Sequence, residues 1–163
     1  LIAYLRAAMP HLHEGAPTLA REEALVRAYL ELMRMRMPDR LAYTLNIDPT
    51  LHALRVPPLT LLTLVENAVR HGIDPSEAGG SIEVRAERTP EGGVRLVVRD
   101  TGRGLDENHA PGIGLSNLRE RLEAAYGDQA VLTLSEVSPH GVQAQIDLPA
   151  RGAAEASTTT AVP

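Results

Sequence analysis

The stretch LVENAVRHG, residues 64–72, sets Glu66, Asn67, Arg70 and His71 close together in an otherwise apolar run. At helical spacing Thr63, Asn67 and His71 form one polar line, and Glu66 and Arg70 an adjacent pair. One reading is a salt-bridged surface edge with a histidine near a helix end. The other is a face turned toward a charged ligand. Asparagine is a poor mid-helix residue unless its amide has a task, and its carbonyl oxygen is a hard ligand suited to Mg²⁺.

Two further clusters follow. In RDTGRGLD, residues 99–106, Asp100 ends an alternating run in which Val94, Leu96 and Val98 share its face. Its carboxylate therefore points toward the core and needs a donor. An exocyclic amine such as that of adenine would satisfy it, and Gly102 and Gly104 leave room for a flat ligand. An Asp-Thr-Gly turn bonded to itself is the plainer reading. In PGIGLSNLRERL, residues 111–122, Gly112 and Gly114 precede a helix whose first free amides lie near Leu115 and Ser116. Such amides, with the helix dipole, make an anion site, although a lone Gly-x-Gly also serves as a hinge.

The elements that must position these residues follow from periodicity. Helices are predicted over 1–9 and 19–37, the second with Glu22 and Glu23 in its first turn and stopped by Pro38. RLAYTLNI alternates as a strand, and Pro57-Pro58 opens a helix over roughly 58–71. SIEVRAER and GVRLVVRD form a hairpin across TPEGG. A Gly-rich loop spans 101–114, and the helix SNLRERLEAAY stops at Gly127. AVLTLSEV and VQAQIDLP bracket the turn SPHG. The tail after Pro149 has no periodicity and is expected to be disordered. Strands joined mostly as hairpins predict an α+β fold: a two-layer α/β sandwich whose sheet is mixed and mostly antiparallel, with helices on one face.

Composition narrows the chemistry. The chain has 163 residues, a formal charge of −5 and no cysteine. Disulfides, thiolate catalysis and Cys-bound zinc are excluded, and nothing suggests a nucleic-acid partner. All 16 Lys and Arg residues are arginine, so a Schiff-base lysine and a lysine-bearing phosphate loop are excluded too. Phosphate chemistry here has to run on Arg, His, backbone amides or metal. With no signal peptide or long apolar run, the chain as given reads as soluble and cytoplasmic; any inner-membrane anchor of the intact protein is expected upstream.

Taken in order, Asn on a helix, DxGxG after a strand and GxGL entering a helix resemble the N, G1 and G2 boxes of the Bergerat or GHKL ATP-binding fold. More narrowly, VPPLTLLTLVENAVRHGI with GIGLSNLRERL resembles the catalytic domain of LytS-type sensor histidine kinases. The stretch ALVRAYLELMRMRMPDRLAYTLNIDP resembles what precedes that domain in the family. The resemblance implies ATP and Mg²⁺ as cofactors, with Asn67 as the metal ligand and Asn67, Glu66 and His71 as the catalytic set. It implies that Arg70 and His71 lie near the phosphates and that Asp100 takes the adenine amine beside Gly102 and Gly104. The segment from Leu105 to Gly112, Ile113 and Gly114 would act as a lid, and amides near Leu115 would hold phosphate.

The family implies transfer of the ATP γ-phosphate to a histidine upstream, relay to a response regulator, and a homodimer in the intact protein. It suggests residues 1–40 as a remnant of or linker from the dimerisation region, 41–150 as the ATP-binding domain and 151–163 as a tail. Three positions depart from the pattern. Thr63 stands where the hydrolytic branch keeps a water-orienting Glu, so phosphotransfer is favoured over hydrolysis, and Glu66 is more plainly a partner of Arg70 than a base. Gly141-Val142 replaces a Gly-Thr pair, making Thr133 the candidate replacement. His11 and His13 lack the phosphoacceptor context. The alternative is a non-kinase GHKL ATPase or a silent nucleotide-binding module.

Overall fold

The structure, a computed structural model, describes residues 16–106 and 112–150. The expected helix over 1–9, His11 and His13 and the tail beyond 150 lie outside the described residues. The order is α1 (Leu19–Arg36), β1 (Leu41–Ile47), a 3-10 turn (Pro49–Leu51), α2 (Thr60–Ala68), a π turn (Val69–Ile73), β2 (Gly80–Arg88), β3 (Val94–Asp100), α3 (Ile113–Tyr126), a 3-10 turn (Gly127–Gln129), β4 (Val131–Glu136) and β5 (Val142–Leu148). The described elements match those expected in type and order, but α3 begins at Ile113, so Gly114 lies in its first turn rather than in the loop before it. The helix from 58 differs in its ends: it starts at Thr60 and closes as the π turn through Ile73.

The five strands form one sheet in the order β1-β2-β3-β5-β4. Both hairpins are antiparallel, and β1 pairs with β2 in parallel. A parallel pair needs a crossover, and α2 supplies it. The sheet is therefore mixed and mostly antiparallel, as expected. Alternation sorts its faces: Val84, Leu96, Val98, Ala144 and Ile146 are buried among the helices, whereas Arg85, Arg95, Gln145 and Asp147 lie on the other side. The outer face carries the Arg95–Asp147 pair at 2.7 Å.

Described residues on both sides of position 40 pack together. Leu19, Val26, Leu30 and Met33 of α1 are fully buried with Leu61, Leu62 and Val65 of α2 in a single core. The reason is amphipathicity: α1 has an apolar stripe that would otherwise face water, and α2 is apolar nearly all round, so each covers the other.

Polar side chains from the α1 end of the chain fasten α2 at both ends. At its start, Leu59 takes the left-handed conformation (φ 63°), and no side chain of α2 itself caps the helix. That backbone conformation costs about 1–2 kcal/mol in an L-residue. The Glu22 carboxylate compensates, accepting the N–H of Leu59 at 2.6 Å and of Leu61 at 2.8 Å. At the far end one guanidinium nitrogen of Arg40 donates toward the carbonyls of Ile73, Asp74 and Ser76 at 3.3, 3.1 and 2.6 Å. Arg36 pairs with Asp74 at 3.0 Å.

Arg40→Met keeps the unbranched stem of the side chain and removes its donors. The carbonyls at the end of the π turn then lose a shared partner, and unfolding in urea should show a loss of about 1–3 kcal/mol. A loss below about 0.5 kcal/mol would mean that water replaces the guanidinium there.

Candidate functional site

The site is built where the end of α2 meets the end of β3. Asp100 closes β3 on the face shared with Leu96 and Val98, and only 3% of it is exposed. Its Oδ1 accepts the Gly102 N–H at 2.9 Å, and the Val142 N–H also bonds to the carboxylate. Burial pushes its carboxyl above the ordinary carboxylate range, and these two backbone donors oppose the rise. Among the described residues both of these donors are backbone amides, which leaves further acceptor capacity on the carboxylate.

Glycines make this approach possible. A Cβ at Gly72 would lie 2.6 Å from Asp100 Oδ1, and one at Gly102 would lie 2.2 Å from the Gly72 carbonyl oxygen. The Arg103 N–H donates to that same carbonyl at 3.0 Å. Gly102 therefore admits the backbone of the π turn, which comes too close for any side chain there. Gly104 adopts a positive φ of 96°, which suits glycine, and it does line the cavity.

A cavity of about 150 Å³ opens above Asp100, lined by Asn67, His71, Gly72, Gly104, Leu105 and Leu115 among others. Its apolar wall includes Leu134 and Val142. A second cavity, of about 300 Å³, adjoins it and is lined by Thr63, Glu66, Asn67, Arg70, His71 and Gly112 through Leu115. Asn67, His71, Gly112 and Leu115 belong to both. One cavity thus has a buried carboxylate and apolar walls; its neighbour has Asn, His, Arg and the first turn of α3, whose N-cap Gly112 has no side chain to occupy the free amides. Arg70 is exposed and pairs with Glu66 at 3.2 Å, the plainer of the two roles expected for Glu66.

The structure thus brings together Glu66, Asn67, Arg70, His71, Asp100, Gly104, Leu105, Gly112, Ile113, Gly114 and Leu115. Gly102 lies beside Asp100 without lining either cavity, and Thr133 lies apart from both. Alternation along β4 buries Leu132 and half-buries Leu134, so Thr133 points outward and is exposed. Leu134 and Val142 stand in the wall instead. Sequence reasoning also missed Gly72, Pro75 and Arg103 in the lining. Gly72 follows His71 directly and reads from sequence as an ordinary helix stop; the signal was there, but its contact with Asp100 is not local.

Comparison with known proteins agrees with this geometry. The family model for histidine kinase-, DNA gyrase B- and HSP90-like ATPases matches residues 58–152. The chain belongs to that ATPase family. Among its relatives, it is 32% identical over 146 residues to the sensor histidine kinase YesM of Bacillus subtilis, a match covering 86% of this chain and 25% of that protein. It is 29% identical over 166 residues to the sensor protein LytS of Oceanobacillus iheyensis, covering 93% of this chain and 28% of that one. The chain spans about a quarter of the length of these curated relatives. Its fold is that of histidine kinase catalytic domains. The histidine kinase domain of Erythrobacter litoralis EL346 superposes with a TM-score of 0.62 at 18% identity, over 89% of this chain and 69% of that one. The catalytic domain of the histidine kinase ThkA gives 0.60 at 20% identity, over 83% and 95%.

The glycines separate by what surrounds them. Gly102→Ala should abolish the packing of the π turn on Asp100 and cost more than about 2 kcal/mol, a large effect for a single methyl. Gly112→Ala meets no atom of the described residues within 4 Å of the added methyl. Thermal unfolding should leave that variant within about 0.5 kcal/mol of the parent. Equal losses at both positions would contradict the close contact at Gly72.

Proposed function

We propose that this chain is the ATP-binding catalytic domain of a LytS-type sensor histidine kinase. It would supply a phosphoryl group to a histidine upstream, in the same or a partner subunit of a homodimer, for relay to a response regulator. The observation that carries the reading is the pairing of the two cavities: one ends on buried Asp100 with acceptor capacity to spare, the other on Asn67, His71 and the open end of α3. A flat base bearing an exocyclic amine suits the first, and an anionic tail suits the second.

Each residue then has a task. Asp100 accepts the adenine amine, Leu134 and Val142 cover the ring, and Gly104 lets backbone come close. Asn67 offers a neutral hard oxygen to Mg²⁺. Among the described residues no group of three or more His, Asp or Glu side chains could hold a metal. An ion at Asn67 would therefore take its other ligands from phosphate and water, which suits Mg²⁺. Mg²⁺ with ATP supplies the transferable phosphoryl group and neutralises its charge. His71 and Arg70 place positive charge or donors beside the phosphates, and the amides near Leu115 add backbone dipoles. No single lysine charge is needed, because the guanidinium and the helix end share the work.

Transfer is favoured over hydrolysis for a structural reason. The Thr63 hydroxyl donates to the Leu59 carbonyl at 2.6 Å and faces Arg121 Nη2 at 3.4 Å. It is already engaged with two protein groups and has no charge, so it is a poor orienter of attacking water.

Calorimetry with ATP and Mg²⁺ should show one site per chain. Asp100→Asn puts a donor opposite the adenine amine and should weaken adenine nucleotides by about 1–3 kcal/mol. Asn67→Ala should remove the gain in affinity that Mg²⁺ gives ATP while leaving adenosine binding nearly intact. No binding at millimolar nucleotide overturns the reading, and equal losses of ATP and adenosine in Asn67→Ala would give that residue a structural role.

Incubated alone with labelled ATP, the chain should release little inorganic phosphate and take up little acid-labile label. A fragment bearing the upstream histidine should become labelled in trans, and Asn67→Ala should abolish that labelling. Rapid phosphate release sensitive to Asn67→Ala would place the chain with the hydrolytic ATPases instead. Binding without labelling in trans would mark it as a silent nucleotide-binding module.

A further inference from the structure

We propose that Glu22, far from the two cavities in sequence and not among their lining residues, is a positioning residue for the nucleotide site. It acts by setting the start of α2, the helix that carries Asn67 and His71. Its ligand readout rests on the nucleotide-binding reading above.

Glu22 is 5% exposed, on the α1 face that packs against α2. A carboxylate so buried needs partners, and it finds them on another element. Oε1 takes the Leu59 N–H, Oε2 takes the Leu61 N–H, and the Leu62 N–H also bonds to the group. These are the amides that the first turn of any helix leaves without intrahelical acceptors. Both oxygens accept, so the ionised form is the one that fits. Arg121 of α3 lies near enough to act on the carboxylate, and it also donates to the Pro58 carbonyl. Glu22 and Arg121 therefore hold the entry of α2 from two sides.

The start of α2 is joined to Asn67 through one polar path. Leu59 presents its carbonyl to the Thr63 N–H at 3.1 Å and to the Thr63 hydroxyl at 2.6 Å. Thr63 sits one turn before Asn67 on the same polar line, and helical bonding places the Thr63 carbonyl opposite the Asn67 N–H. Leu59 is held at a left-handed φ, which the peptide does not keep without outside support. Freeing its N–H from Glu22 lets that residue relax, and the first turn of α2 with it. Asn67 then loses its fixed approach to the phosphate cavity. Asp100 stands on β3 with its own backbone donors, and the part of α2 that touches it is the far end, at Gly72, rather than the first turn. The two cavities therefore depend on Glu22 unequally.

The consequence for α1 is mechanical. Glu22 binds it to the start of α2, and Arg36 binds it to Asp74 beyond the π turn. A shift of α1 along the sheet is passed to Asn67 through hydrogen bonds at the helix ends as well as through apolar packing.

Glu22→Gln tests this in the full chain. The amide offers one acceptor oxygen and turns a donor toward a backbone donor. Hydrogen exchange in the ligand-free protein should be at least tenfold faster at Leu59 and Leu61, and the acceleration should extend to the amide of Asn67. The affinity for Mg²⁺-ATP should fall at least fivefold while that for adenosine stays within twofold. Glu22→Asp, one methylene too short to reach both amides, should behave in the same way and serves if the first variant does not fold. Acceleration that stops at Leu62, or parallel losses of Mg²⁺-ATP and adenosine, overturns the proposal. If the parent binds neither ligand, the nucleotide reading fails, and the exchange pattern alone decides the role of Glu22.

Discussion

A carboxylate buried to the depth of Asp100 has to be met by donors, and here backbone meets it. The Gly102 and Val142 amides reach it from one side, and the Cα of Gly72 packs against it from another. None of these approaches tolerates a side chain at 72 or 102. The end of α2 therefore lies directly on the end of β3, and this contact sets the distance between the carboxylate and the Asn67–His71 face. Gly141 extends the same constraint to the last hairpin, since a Cβ there would lie 2.0 Å from the Asp100 carbonyl oxygen. Strands β3 and β5 are paired neighbours, so the sheet's own register delivers Val142 to the site.

With one end of α2 fixed by glycine contacts, its remaining freedom is rotation and sliding, and polar ties remove both. Glu22 holds the first turn, and Arg40 gathers the carbonyls at the last. A helix that is apolar on most of its surface would pack acceptably in several rotations against an aliphatic core. Directional bonds at its ends select the rotation that leaves Thr63, Glu66, Asn67, Arg70 and His71 facing outward. The core supplies the burial; the polar residues at the ends supply the orientation. The buried charge costs solvation, which is why burial pushes the Glu22 carboxyl upward despite three backbone donors.

The candidate site is divided between elements of different exposure. Asp100, Val142 and Leu134 stand on or beside the five-stranded sheet, whereas Gly112 and Ile113 belong to the start of α3, where Ile113 is 82% exposed. Among the described residues no helix is long and apolar enough to cross a membrane.

Local chemistry was legible in the sequence. The alternation of β2, β3 and β5, the glycine stop at 127 and the polar line Thr63-Asn67-His71 all reflect short-range periodicity, which a chain cannot hide. Asp100 was readable as an inward carboxylate because its face follows from Val94, Leu96 and Val98. What no local pattern contained was which distant backbone would meet it. Glu22 read as a residue suited to its own helix's first turn and proved to cap a different helix. Gly102 read as space beside Asp100, and no local pattern showed that Gly72 would come against it. Thr133 read as a site residue, and the parity of its strand turned it outward. Nor did any local pattern show that the apolar face of α1 would meet α2, because helices look alike before their apolar faces are matched. Sequence determined the elements and the reactive groups; tertiary structure decided their partners, because burial and close approach depend on chain segments far apart in sequence.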